Sequence, residues 1–281
     1  ERVLELRGSI DEGATSGPRM LVSGPFFTAP GGHPAVTMFE SDPWFLEHAH
    51  RFPADEPAAR LMVRDLAEEG VDVIKCILTD CPWRTPCERL DVAILEAIVE
   101  EAHALDLPVA VHTDTSQDVR DAVGAGADSI EHIVTAGDLD EDLPDLLAAA
   151  GTAVVPTLGV VQGYSPSTEE ELIARVARLR EAGVTIGAGS DARPYGATWG
   201  ATLHHELGYL VSAGFQPLEA IGAATATNAA ILGIEDESGT LERGLMADLI
   251  AVARNPLVDT DAVADVRLVI RRGVVVREGE E

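Results

Sequence analysis

The chain has 281 residues and a formal net charge of −28, from 48 acidic and 20 basic residues. This length suits one large α/β domain, or one with a small appendage. The strong negative charge argues against nucleic acid or an anionic membrane as a partner. All of the basic residues except Lys75 are arginines. Such an acidic, lysine-poor composition is typical of a halophilic source or of an acidic protein from a GC-rich genome, and both remain open.

The three cysteines, Cys76, Cys81 and Cys87, form neither a disulfide framework nor a CxxC metal motif. Cys81 and Cys87 share a Pro-rich loop and could pair under oxidation, but free thiols are expected in the cytoplasmic location that we predict. No apolar run approaches the length of a membrane span. No signal peptide is visible either, although the chain starts at Glu1 without a methionine.

Short apolar runs alternate with amphipathic stretches along the chain. We predict strands over 20–24, 71–78, 108–111, 129–130, 152–158 and 184–189, and helices over 58–69, 88–105, 139–150, 169–182, 203–213 and 217–232. The tail turns to a β pattern over 248–253 and 266–276. About six alternations favour a parallel barrel or a doubly wound sheet. No GxGxxG or Walker loop follows a strand, so a nucleotide-binding function has little support.

Two histidines stand at matching positions around one helical stretch. His112 ends the run that begins at Pro108, and His132 follows the short run Ser129-Ile130. Parallel βα units carry their chemistry at the carboxyl ends of strands. A histidine in such a place is either a metal ligand or general base, or a structural residue with its hydrogen bonds satisfied. Two of them in register favour the functional interpretation.

Lys75 lies inside the run VDVIKCIL, which the pattern predicts to be buried on both faces. An unpaired ammonium would be very costly there. A buried lysine can act as a base, form a Schiff base, or be carboxylated by carbon dioxide to bridge two metal ions. The structural alternative is a lysine that extends to the barrel mouth to pair with an acid.

Asp191 follows the Gly-rich strand end GAGS. A carboxylate at a barrel mouth could bind a metal or carry a proton from water, although aspartate at such a junction is also a common helix N-cap. Two neutral imidazoles with one or two carboxylates form a ligand set that suits Zn or Mn.

The order VIK at Lys75, AVHT at His112, SIEH at His132 and GAGSD at Asp191 resembles the amidohydrolase superfamily of metal-dependent hydrolases. The motif residues are most similar to those of the imidazolonepropionase-like and Xaa-Pro dipeptidase branch. The loop GPFFTAPGGH, the helix LEAIGAATATNAAILG and the tail GTLERGLMADLIAV extend the resemblance over nearly the whole chain. The resemblance implies a (β/α)8 TIM-type barrel over 1–236, lacking its first strands as numbered, and the C-terminal part of a small β-sandwich domain over 237–281.

The resemblance also implies roles for these four residues. Lys75 would be a carboxylated lysine that bridges two metals after barrel strand 4, and His112 and His132 would ligate the second metal. Asp191 would ligate the first metal and move the proton to the leaving group. The implied cofactors are one or two divalent ions, Zn foremost with Mn or Fe as alternatives, and a carbamate on Lys75 derived from carbon dioxide.

The family's HxH motif at the end of strand 1 is apparently absent, since about two strands' worth of chain should precede Glu1. His48-Ala-His50 follows strand 3 and is interpreted as a solvated loop before a helix. Either an upstream segment lies outside this numbering or one metal has been lost. We favour the first alternative, because the tail looks like half of a β-domain whose partner strands belong upstream.

The implied function is hydrolysis of a C–N bond, in an amide, cyclic amide or dipeptide, by a metal-activated hydroxide. Hydrolysis of an ester or lactone at the same centre, or a non-catalytic barrel without its metal site, are the alternatives. Thr113-Asp114-Thr115 stands where the dipeptidase branch has a tyrosine, which argues against dipeptides. The expected partner is a small-molecule substrate, with a homo-oligomer left open. Candidate substrate contacts outside the four site residues are His33, Tyr164, Arg193 and His205, the last preceded by His204.

Overall fold

The computed structural model describes residues 2–83, 85–192 and 198–279. The chain divides into two units, Glu1–Leu143 and Pro144–Glu281, called here the first and the second unit. This division does not test the predicted boundary between a barrel and a small β-domain at 236/237, which stays a prediction. No helix among the described residues combines the length and the apolar character that crossing a bilayer requires.

The first unit alternates parallel strands with helices. Its strands pair in the order β2-β1-β3-β4-β5, and each of these pairs is parallel. The elements are α1 (Arg2–Asp11), β1 (Phe26–Phe27), α2 (Pro43–His48), β2 (His50–Arg51), α3 (Glu56–Glu69), β3 (Ile74–Leu78), α4 (Val92–His103), β4 (Val109–Thr113), α5 (Ser116–Ala125) and β5 (Ser129–Glu131).

Local capping residues set the helix boundaries of the first unit. Helix α3 begins at Asp55, whose carboxylate accepts from the amide of Ala58, and it ends at Gly70 in the left-handed conformation. Helix α5 begins with a reciprocal capping box between Thr115 and Asp118. These caps satisfy amides that have no partner inside the helix, and they fix the residues at which α3 and α5 begin.

Strands β3, β4 and β5 form the interior of the first unit. Except for the half-buried Ala110, their apolar side chains are buried on both faces, as expected for a parallel sheet covered by helices. The register pairs Ile77 with His112 and His112 with Glu131. The carboxyl ends of the three strands therefore lie at one edge of the sheet, and this edge carries the candidate site.

The second unit contains helices, one short parallel pairing and a separate antiparallel sheet. Val154 of β6 pairs in parallel with Ile186, and β7, β8 and β9 form the antiparallel sheet. A π-helical segment, Ala223–Thr227, separates α10 from α11. The elements are α6 (Leu143–Ala150), β6 (Ala153–Val155), α7 (Leu158–Val161), α8 (Glu169–Glu181), α9 (Ala201–Ser212), α10 (Pro217–Gly222), α11 (Asn228–Ile231), β7 (Leu249–Val252), β8 (Val266–Arg271) and β9 (Val274–Glu278).

Three strand predictions differ from the structure. The first strand lies at Phe26–Phe27 rather than over 20–24, and the predicted strand 266–276 is a hairpin that turns at Arg272 and Gly273. The predicted strand 184–189 is reduced to the single bridge at Ile186. There the side chain of Asn228 donates to the carbonyl of Ala188 (2.7 Å) and accepts from its amide (3.2 Å). A side chain thus makes the hydrogen bonds that a neighbouring strand would otherwise provide.

Candidate active site

His112 and His132 lie side by side at the carboxyl edge of the sheet. His112 is the penultimate residue of β4, and His132 directly follows β5. Their ring centroids are 4.6 Å apart in an edge-to-face arrangement, and the two residues are 5% and 7% exposed. His132 has φ +74°, a left-handed conformation that is uncommon for residues other than glycine and is frequent at functional sites.

His33 extends this pair into a row of three imidazoles, here called the histidine row. Its ring stacks on that of His112 with centroids 5.1 Å apart, and the indole of Trp83 contacts His33 edge to face, with ring centroids 5.5 Å apart. The Nδ1 atom of His33 is hydrogen-bonded to the hydroxyl of Thr37 (2.6 Å). Gly32 has no room for a Cβ between the surrounding backbone carbonyls, so the loop that carries His33 is closely packed.

Burial keeps His132 neutral. It lowers the pKa of His132 well below its ordinary value, and the nearby His112 and Lys75 lower it further. A neutral imidazole is the form that binds metals and accepts protons. His132 therefore has the protonation state that either role requires.

Lys75 lies on β3, in register with Ala110 of β4 and two residues before Ile77, the partner of His112. It is half-buried, whereas the sequence predicted a fully buried side chain. Its register partner Ala110 is also half-buried, so the sheet is less tightly covered at this pair than at Ile77 and His112. Burial raises the pKa of the Cys76 thiol to about 12, so this thiol is not reactive at neutral pH.

Asp114 is a site residue that the sequence reasoning treated only as a departure from the dipeptidase branch. It is 0% exposed, and its carboxylate accepts from Thr79 (2.7 Å) and from Thr135. The same carboxylate lies 3.3 Å from Nε2 of His112. Burial opposes ionisation, but His112 and the Thr135 hydroxyl outweigh it and hold the pKa of Asp114 below its usual range. The signal was the polar run Thr113-Asp114-Thr115 directly after a buried strand.

Cys81 and Cys87 form a disulfide, with Cα atoms 5.5 Å apart. The expectation of free thiols at these two positions is therefore wrong for this structure; only Cys76 among the three is free. The short loop turns back on itself at Cys81, which has φ +60° and donates its amide to the hydroxyl of Thr79 (3.0 Å). This turn brings the two cysteines within bonding distance.

His50 is not part of a solvated loop, and that interpretation of His48-Ala-His50 is wrong. His50 is buried on β2, where its ring packs against those of Phe26, Phe45 and Phe52. Its Nδ1 atom is hydrogen-bonded to the carbonyl of Phe45 (3.1 Å), and burial lowers its pKa. The pairing of β2 with β1 brings His50 into this aromatic cluster, which gives it a packing role.

The remaining predicted residues belong to the second unit. Asp191 is exposed and has a left-handed backbone, with φ +37°. Tyr164 is half-buried after α7, and on α9 His204 is half-buried while His205 is exposed. Arg193 lies outside the described residues.

Glu206, also on α9, is a buried acid that the sequence reasoning did not single out. It is fully buried, and its carboxylate accepts from the amide of Gly159 (3.0 Å) at the start of α7. Burial raises its pKa to about 7. A signal was available, because Glu206 directly follows His204 and His205 and directly precedes the apolar Leu207.

The chemistry of the donors in the histidine row is suitable for a divalent metal, but the described residues do not complete a site. Nowhere in 2–83, 85–192 and 198–279 do three His, Cys, Asp or Glu side chains form a group that could hold an ion. His112 and His132 are buried imidazoles, and Lys75 acts electrostatically on His132. Imidazole nitrogens suit borderline cations such as Zn. These residues thus fit a metal as part of a larger ligand set.

Known proteins resemble the chain over most of its length. A model of the amidohydrolase family matches residues 3–276. Ochratoxinase from Aspergillus niger is 34% identical over 182 residues, which is 59% of this chain and 36% of that protein. Imidazolonepropionase from Symbiobacterium thermophilum is 35% identical over 170 residues, or 58% and 37% of the two chains. The crystal structure of a Xaa-Pro dipeptidase with bound methionine aligns over 98% of this chain and 72% of that one, with 28% identity and a TM-score of 0.82.

The chain belongs to the amidohydrolase family, and its predicted resemblance to the imidazolonepropionase-like and Xaa-Pro dipeptidase branch is confirmed. The enzyme class of this family is that of hydrolases acting on C–N bonds, as predicted. The predicted fold class is also confirmed: α/β, of the TIM-barrel type seen in such amidohydrolases, with a small antiparallel sheet at the C-terminus. The chain spans little more than a third of the length of the two curated relatives.

Proposed function

We propose that this protein hydrolyses an amide, cyclic amide or dipeptide C–N bond with the help of a divalent metal, Zn foremost. The observation that carries the proposal is the histidine row at the carboxyl edge of a parallel sheet, with Lys75 on the neighbouring strand. Membership of the amidohydrolase family supports it, since that family generally depends on divalent metals.

His112 and His132 would hold the metal through ring nitrogens, and Lys75, carboxylated at Nζ by carbon dioxide, would supply an oxygen ligand. When bound, the metal would act as a Lewis acid that lowers the pKa of water and polarises a carbonyl group. The neutral state of His132 supports its part in this scheme, because a protonated imidazole cannot bind a cation.

The other residues of the row would orient and protect the substrate. His33 would contact the acyl group of the substrate, since its ring lies flat against His112 and is held by Thr37. Trp83, whose ring contacts that of His33, would limit the access of water to His33.

Asp191 keeps the role that the resemblance implies for it. Its carboxylate would accept a proton from the attacking water and deliver it to the leaving nitrogen as the C–N bond breaks. Tyr164, Arg193 and His205 stay predictions as substrate contacts.

The test combines metal content with hydrolysis. Protein purified with bicarbonate and without chelator is expected to contain about one or two metal ions per chain by elemental analysis. On a panel of amides, cyclic amides, dipeptides, esters and lactones, we expect metal-dependent cleavage of at least one C–N substrate. A chain without metal that also fails to bind added Zn or Mn would overturn the proposal. Cleavage of esters or lactones alone would replace it with the alternative hydrolase.

A matched pair of histidine variants ties the result to the row. His132→Ala is expected to lose bound metal and activity together. His103→Ala is the control, because His103 lies on α4 and its ring pairs with Asp128 (2.9 Å) rather than with the row. If His132→Ala retains as much metal and activity as His103→Ala does, the metal is bound elsewhere.

A further inference from the structure

The carboxylate of Asp114 joins the residues that follow three neighbouring strands. Thr79 after β3 donates to Oδ2 (2.7 Å), and Thr135, four residues beyond β5, donates to Oδ1. The backbone carbonyl of Asp114 also accepts from the amides of Thr135 (2.8 Å) and Ala136 (3.0 Å). With both oxygens occupied in a fully buried position, the carboxylate has one orientation.

This fixed carboxylate faces one nitrogen of His112. The distance between Oδ2 of Asp114 and Nε2 of His112 is 3.3 Å. An ionised carboxylate only accepts hydrogen bonds, so Nε2 must carry the proton and donate it. In a neutral imidazole the other nitrogen, Nδ1, then holds the free lone pair.

We propose that Asp114 is a positioning residue, which fixes the Nε2-protonated tautomer of His112 and thereby makes Nδ1 the nitrogen that is available to a metal. The inference rests on the proposed function for the identity of the ligand, since His112 is there assigned to hold the metal. Carboxylates that orient metal-binding histidines in this way commonly change metal affinity when they are altered.

Thr79 connects Asp114 to the loop that contains the disulfide. Its hydroxyl donates to Asp114 and accepts from the amide of Cys81 (3.0 Å). Thr79 directly follows the strand of Lys75, and Thr135 lies three residues beyond His132. Asp114 therefore ties His112 to the chain segments that carry the other two proposed metal-binding residues.

The experiment measures the tautomer directly in metal-free protein. Ring-¹⁵N-labelled histidine and two-bond ¹H–¹⁵N correlation spectra report which nitrogen carries the proton, and the signals of His112 are assigned from their loss in His112→Gln. We expect the Nε2-protonated form in the wild type. A predominantly Nδ1-protonated His112 in the wild type would overturn the proposal without the need for any variant.

The variant Asp114→Asn then tests whether the carboxylate of Asp114 fixes the tautomer of His112. Its amide can present N–H groups to Nε2, so we expect the Nδ1-protonated tautomer to appear and Zn affinity to fall by about 10–100-fold. Asp118→Asn is the matched control: Asp118 is also buried and contacts the backbone amide of Asp114, but its carboxylate binds Arg89 and not His112. An unchanged tautomer in Asp114→Asn, or the same change in Asp118→Asn, would refute the role of Asp114.

The two proposals can fail separately. If the wild-type protein binds no Zn while the tautomer responds to Asp114→Asn and not to Asp118→Asn, the metal-dependent function is wrong and the control of His112 by Asp114 stands. If Zn binds and the tautomer does not respond, the function stands and the inference about Asp114 is wrong.

Discussion

The strand ends of the first unit and those of the second unit use polar side chains in different ways. In the first unit, the buried polar side chains around Asp114 contact one another, since its carboxylate accepts from Thr79 and Thr135 and lies beside His112. In the second unit polar side chains serve the backbone: Asn228 bonds to both polar groups of Ala188, and Glu206 accepts from the amide of Gly159. Hydrogen bonds from side chains to the backbone stabilise the fold. Hydrogen bonds among side chains also fix the orientation of a functional group, here the imidazole of His112.

The electrostatics of the two regions differ accordingly. In the first unit, interactions with neighbouring groups hold the carboxyl of Asp114 ionised, while burial keeps His132 neutral. In the second unit, burial raises the pKa of Glu206 to about 7. Near neutral pH, Asp114 and His132 in the first unit therefore keep fixed protonation states, whereas Glu206 in the second unit changes its protonation state there.

The largest effect should come from Lys75. Lys75→Ala is expected to reduce kcat/KM by at least about 100-fold, because the variant loses the carbamate that is the proposed oxygen ligand of the metal. Lys75→Arg is the informative control, since it keeps the positive charge but cannot form the carbamate. Steady-state hydrolysis with and without bicarbonate measures both variants. Full activity in Lys75→Ala would rule out the bridging role.

Much of the first region could be predicted from the sequence. The strands that end near His112 and His132 are short apolar runs, and the helix after the first of them begins at a capping box, Thr115 with Asp118, that is readable in the sequence. Local pattern determines these elements, so the two histidines could be placed at strand ends. The neighbouring position of the two rings follows from the parallel register.

The rest depends on contacts between distant parts of the chain. Thr135 lies 21 residues from Asp114, and Thr79 lies 35 residues from it, so no local pattern indicates their hydrogen bonds. The strand predicted over 184–189 fails for the same reason, because Asn228, 40 residues away, takes the place of a partner strand at Ala188. His50 was misassigned because the aromatic residues that surround it include Phe26 of a different strand.

Among the effects on stability, we expect the largest from Glu206. Its pKa is about 7 in the folded protein against an ordinary value of 4.5, so the folded state binds this proton more tightly. The corresponding stability is complete below about pH 4.5 and is lost as the pH rises through 7, by an amount on the order of 3 kcal/mol. Glu206→Gln removes this dependence, so the variant should gain stability relative to the wild type between pH 5 and pH 8.5.

Urea unfolding of both proteins at several pH values measures this difference. Glu219→Gln is the control, because Glu219 is an exposed acid whose pKa is lowered by the backbone amide of Gln216 and by Arg180. If the stability of Glu206→Gln runs parallel to that of the wild type across this range, Glu206 is ionised in the folded protein and the contrast between the two regions is weaker.

Reduction of the disulfide should have an intermediate effect on the first region. The bond between Cys81 and Cys87 closes a short loop, for which chain entropy predicts a stabilisation of about 2 kcal/mol. Thermal unfolding of the wild type should therefore occur at a lower temperature with dithiothreitol than without it. The double variant Cys81→Ala/Cys87→Ala should resemble the reduced protein and be insensitive to dithiothreitol. An equal response of both proteins would place the effect of the reductant elsewhere.

The smallest effect, and the sharpest comparison of the two regions, comes from two threonines. Thr135→Val keeps the side-chain shape but removes one donor to the buried carboxylate of Asp114, which should cost about 1.5 kcal/mol in the free energy of unfolding. Thr225→Val removes an exposed hydroxyl that bonds the backbone of Ile221, and should change stability by less than about 0.5 kcal/mol. Both values come from urea titrations. If both variants lose the same unfolding free energy, the hydrogen bond of Thr135 to Asp114 contributes no more than that of a surface hydroxyl to its helix. The buried network would then be too weak to orient His112.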